Sequence, residues 1–190
     1  MGSTEDSLIP IEHPFVRIPR GKIRFLAVPI AVAALLLMFA IHILVQRGPG
    51  WPAFAQLVLS PTSQHATSAL STWTTKNRDR IAMVAKIDFL FGLLYASLLA
   101  LAAVSAARGI PYSPYCRFGS TFAWLSCLIA VLDVPENIAY LNMVRGHVHQ
   151  PWPGISASSV IVRTVLLLAV LAFIARTLLV ARSSKVSSSA

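Results

Sequence analysis

The stretch Phe25–Gln46, FLAVPIAVAALLLMFAIHILVQ, contains no charged residue between Arg24 and Arg47. As a helix it is about 33 Å long, enough to cross a hydrocarbon core of about 30 Å. It is too long for the core of a secretory signal, and no small-residue cleavage site follows it, so it reads as a retained span. Three further apolar stretches repeat the pattern, at about 81–107, 118–144 and 155–181. The predicted class is all-α, an integral membrane four-helix bundle. A single domain of four transmembrane helices is expected over residues 1–182, with spans at about 25–46, 81–107, 118–144 and 155–181. The serine-rich end, 183–190, is expected to be a disordered polar tail.

Only 12% of the residues are charged, against about 25% in soluble domains. The net charge of +9 does not point to nucleic acid, because the basic residues cluster at span ends, as they do in membrane proteins. Nucleic acid is therefore not an expected partner; the lipid bilayer is. An even number of spans puts both termini on one side. That side carries nine Lys and Arg residues against six on the other, so the termini are expected to be cytoplasmic.

The first connection, Arg47 to Arg80, is the only long one. Its apolar patch around Trp51 and Phe54 is expected either to lie in the membrane interface or to cap the bundle. The polar stretch that follows, if helical, lengthens the second span outward.

The third span contains VLDVPENIAYLNMV, Val131–Val144. Fifteen residues separate Arg117 from Asp133, and at about 1.5 Å each they cannot cross the core. Asp133 is therefore expected within the membrane, with Glu136 in the half away from the termini. A carboxylate at that depth costs a few kcal/mol and faces the bundle interior or a wet cavity. Asp133, Glu136, Asn137 and Tyr140 stand at i, i+3, i+4 and i+7, one side of a helix. Pro135 removes a backbone donor and is expected to kink the helix, freeing the carbonyl of Val131.

The second span offers a matching face. Asp88, Gly92, Ala96 and Ala100 are spaced by four, a small-residue ridge of the kind that lets helices approach closely. Asp88 and Glu136 fall at similar depths if the helix begins near Ile81, while Lys86 points elsewhere; the alternative is that Asp88 sits at the interface, since Phe89–Ala107 alone nearly spans. In the fourth span, Arg163 and Arg176 lie about 20 Å apart along a helix, too close for both to leave the core. Arg163 is thus a candidate partner for Asp133 or Glu136, with His42 nearby; the alternative, commoner for such a residue, is that its side chain snorkels to the interface. The candidate ligand- or ion-binding set is Asp88, Asp133, Glu136, Asn137, Tyr140 and Arg163. Tyr140, together with Asn142 and Trp152, has a simpler reading as an interfacial residue.

No metal site and no cofactor is expected. His147 and His149 make at most a pair, and a metal site needs three or four ligands. Cys116 and Cys127 form neither a redox pair nor zinc spacing, and the chain has no Gly-rich phosphate loop or nucleophile elbow. Three classes of function fit. The first is binding or moving a small molecule, ion or proton at the carboxylates, with a lipid-soluble or small polar ligand as partner. The second is a structural role in which the polar network only fixes helix packing. The third is an enzyme using a carboxyl group as general acid on a lipid-soluble substrate. Four spans without an inverted repeat count against a monomeric secondary transporter; a homo-oligomer forming a pore is the alternative.

Overall fold

The computed structural model describes residues 13–110 and 117–187. All regular structure among them is helical: α1 (Arg20–Gln46), α2 (Trp51–Val58), α3 (Ser63–Ser71), α4 (Thr75–Arg108), α5 (Phe118–Val144) and α6 (Trp152–Ser187). Helices α1, α4, α5 and α6 are each long and apolar enough to cross a membrane. Their outward faces are apolar too. Phe25, Leu36 and Phe39 on α1, Leu93 on α4, Val131 on α5 and Leu168 on α6 are all largely exposed, which suits lipid rather than water. The chain is a multi-pass membrane protein.

Three of the four spans run longer than their apolar stretches. Helix α1 begins at Arg20 and takes in Lys22 and Arg24. Helix α4 begins at Thr75, where the Thr74 side chain accepts from the Asn77 amide and caps it. Helix α6 runs to Ser187, so the stretch expected to be a disordered tail begins as helix; no Gly or Pro interrupts it. The remainder of that tail, and Cys116, lie outside the described residues. Helix α5 keeps its expected bounds and continues through Pro135.

The long connection folds over the end of the bundle opposite the termini. A turn at Gly50, with φ +81°, starts α2. Leu57 and Val58 of α2 and Leu70 of α3 are buried in one core with Val45, Ile81, Tyr140 and Met143. The Ser156 hydroxyl donates to the Val58 carbonyl at 2.9 Å, and the Gln150 amide to that of Pro61 at 3.1 Å. In the Trp51–Phe54 patch, Phe54 packs against this core as a cap would, while Trp51 stays 38% exposed. The polar stretch after it does not simply extend α4. Its first part closes as the separate helix α3, and the chain turns at Trp73 before α4 begins.

Helix α4 is central, packing on α1, α5 and α6, and α5 also packs on α6. Its buried Gly92, Ala96, Ala100, Ala103 and Ala107 let α5 lie close, as small residues do between membrane helices. Gly119 of α5 fits over Ala107, and Phe122 stacks on Phe173 of α6 at 4.1 Å. Helix α1 rests on α4 and touches α2, with at most marginal contact to α5 and α6. The bundle is thus three mutually packed helices with a fourth on one flank.

At the terminal end, a single 3-10 turn, Pro14–Arg17, folds back beside α4 and α5. Phe15 and Val16 pack on Ala100, Val104 and Ala123. The Arg108 guanidinium donates to the carbonyls of Val16 and Ile18. The His13 ring accepts from the Phe15 amide through Nδ1, at 3.2 Å, which leaves Nε2 to donate to Cys127 Sγ at 3.4 Å. That arrangement requires the neutral imidazole, and burial of His13 pushes its pKa down in the same sense.

Candidate functional site

Asp133 and Glu136 project from one side of α5 because they are three residues apart, and both are buried, 1% and 4% exposed. Arg163 of α6 reaches between them. One of its terminal nitrogens is ion-paired with Asp133, and the other donates to Glu136 Oε1 at 3.2 Å. The fork shape of a guanidinium suits two carboxylates at once. Asp133 lies against α4 at Gly92, where any Cβ would collide with its carboxylate. The glycine of the small-residue ridge is the seat of the aspartate.

The fork leaves much unsatisfied. Glu136 Oε2 and the Tyr140 hydroxyl are buried with no hydrogen-bond partner among the described residues, and Asp133 Oδ2 and the Asn137 amide meet no partner in good hydrogen-bond geometry, although Tyr95 stands near Asp133 and Asp88 near Asn137. Such groups each cost about 1–3 kcal/mol when left unmade. Asp88 of α4 is half-buried, has no ion-pair partner among the described residues, and its side chain faces Asn137. Of the three carboxylates, two share the Arg163 guanidinium and Asp88 is left outside it.

These groups border a cavity of about 680 Å³ under the α2 cap. Asp88, Glu136, Tyr140 and Arg163 form its polar part. Met38, Phe39 and Ile41 of α1, Trp51 and Phe54 of α2, and Val84 and Phe91 of α4 form its apolar walls. His42 lines it as well, held by the Trp51 indole N–H, which donates to its Nδ1 at 3.1 Å. Phe54 meets the Tyr140 ring edge-on at 5.7 Å. Met38 and Phe39 are at least half exposed, so the cavity opens on the apolar flank of the bundle.

All six sequence-derived candidates thus fall in one neighbourhood. Asp88, Glu136, Tyr140 and Arg163 line the cavity, while Asp133 and Asn137 stand behind them. Tyr140 is 1% exposed, which corrects its simpler reading as an interfacial residue: the α2 cap covers it. Tyr95, not singled out from the sequence, approaches Asp133 from α4. Its signal was present, since it stands at i+7 from Asp88 on the same helix face. Lys86 is exposed and turned away. His147 and His149 are exposed with ring centroids 6.4 Å apart, and no three His, Cys, Asp or Glu side chains among the described residues converge to hold a metal. Cys127 pairs with His13, away from the acids. The chain matches no family model, no curated protein and no solved structure.

Proposed function

We propose that this membrane protein binds or moves a small polar or amphiphilic ligand, received in the cavity beneath α2. Asp88, Glu136 and Tyr140 would contact it, Arg163 would hold the acids in place, and Asp133 and Asn137 would position them. The observation that carries the reading is the set of buried, unpartnered polar atoms beside a cavity of about 680 Å³. Buried polar groups are normally satisfied, and a cavity of this size is that of a small-molecule site. A second reading, in which the network only fixes packing, draws on the Arg163 fork. It leaves both the unpartnered Glu136 oxygen and the cavity without a role.

The test is mass spectrometry of the protein purified in mild detergent, with Glu136→Gln in parallel. Glu136→Gln keeps the side chain's shape and an oxygen that can accept from Arg163 while changing the cavity's polar group, and thermal unfolding measured alongside checks that the variant is folded. The wild type is expected to carry a stoichiometric small molecule that the variant loses. A ligand-free wild type supports the packing role instead, and a variant that retains the molecule fully removes Glu136 from the site that holds it.

We also place the termini in the cytoplasm and the cavity in the outer leaflet, on the distribution of Lys and Arg. In a background lacking Cys116 and Cys127, a cysteine at Thr67 should react with an impermeant maleimide on intact cells, and one at Ser183 only after lysis. The opposite pattern reverses the orientation.

A further inference from the structure

Resting on the reading above, we infer that the cavity's ligand is a lipophilic amine: an ammonium group facing Asp88, on an apolar body that enters from the bilayer. Charge is the first argument. The one guanidinium of the site is committed to Asp133 and Glu136, so Asp88 is a carboxylate at the cavity wall without a cation of its own among the described residues. Glu136 Oε2 is a second free acceptor beside it. A ligand bringing one positive charge and several N–H donors meets both needs, whereas a fatty acid or phosphate would bring a further negative charge to three acids.

The walls give the second argument. Trp51, Phe54 and Phe91 line the cavity together with Tyr140, and aromatic faces attract ammonium groups, most strongly where water is excluded. A bare metal ion fits these walls poorly, because most of the lining offers no oxygen, nitrogen or sulfur ligand. A site that handled protons alone would have no use for so large an apolar space. The third argument is access. Met38 and Phe39 line the cavity and are also exposed on the outside of α1, so a ligand dissolved in the membrane reaches the site sideways, without passing the α2 cap.

The full chain in phosphatidylcholine nanodiscs provides the test, with dodecylamine, dodecanol and dodecanoate as probes of matched chain length. Binding is read from Trp51 emission, identified by comparison with Trp51→Phe and corrected against empty nanodiscs. Dodecylamine is expected to bind saturably, dodecanol more weakly and dodecanoate not at all. Asp88→Asn should weaken dodecylamine by about tenfold or more, as the loss of a charge-assisted contact does, and leave dodecanol unchanged. Phe54→Leu, which alters no charge, should weaken the amine more than the alcohol. Equal binding of amine and alcohol, preference for dodecanoate, or an amine affinity indifferent to both substitutions overturns the amine inference while leaving a ligand site standing. Absence of saturable binding by all three probes removes the ligand site as well.

Discussion

Arg163→Met is expected to destabilise the folded protein by about 3–5 kcal/mol, the usual cost of stripping one partner from a buried ion pair. The methionine fills similar space, so the loss is electrostatic. Asp133 and Glu136, both almost fully buried, would keep their carboxylates and lose the group that holds them. In a chain of this size the change lowers the thermal unfolding midpoint by on the order of 10 °C. The diagnostic arm is the triple variant Arg163→Met, Asp133→Asn, Glu136→Gln, which removes the orphaned charges along with the cation and should recover most of the loss. Thermal unfolding in one detergent reports both. If Arg163→Met unfolds with the wild type, or if the triple variant is no better than the single, the fork does not bind α5 to α6 in the way described.

Gly92→Leu is expected to be comparably damaging for a steric reason. A Cβ at that position meets the Asp133 carboxylate, with its Cγ at 3.2 Å, and a full leucine side chain forces α4 and α5 apart. Overpacking of a tight contact costs about 1–3 kcal/mol, and here the displaced group is also half of the ion pair. Leu94→Ala, at a half-buried position two residues on, changes side-chain volume by nearly as much but lies off the ridge, so its midpoint should fall much less. Equal midpoints for the two would show that close approach at Gly92 does not hold the bundle together.

The face carrying Asp133, Glu136, Asn137 and Tyr140 was legible because helical periodicity is local: four positions on one helix fix one another's direction. Position along the axis was legible for the same reason, since the rise per residue turns a count from Arg117 or Arg145 into a distance. The Arg163 partnership was only one of two readings, beside a side chain that snorkels to the interface, and the structure pairs it with Asp133 and Glu136. The seating of Asp133 on Gly92 was only half visible. The ridge could be read in α4, but which residue of α5 would lie on it depends on how two helices slide past each other. Helix α3 was hidden in a polar stretch that periodicity alone does not separate from α4. The fold-back of His13 onto Cys127 was not legible at all. It joins positions more than a hundred residues apart through single contacts, and no pattern in either segment announces the other.

The order of the chain gives the Arg163 fork a meaning for biogenesis. Helix α5 leaves the ribosome before α6, so two acidic residues reach the translocon ahead of the arginine that neutralises them. An acidic side chain near the centre of a span costs on the order of 3 kcal/mol during insertion, and Pro135 weakens the same segment further. Inserted alone, α5 would bear that cost until Arg163, thirty residues after Asp133, had been synthesised. Insertion of α5 and α6 together as a hairpin would avoid that cost, and the Arg163 fork that joins them in the folded protein would then also favour their integration.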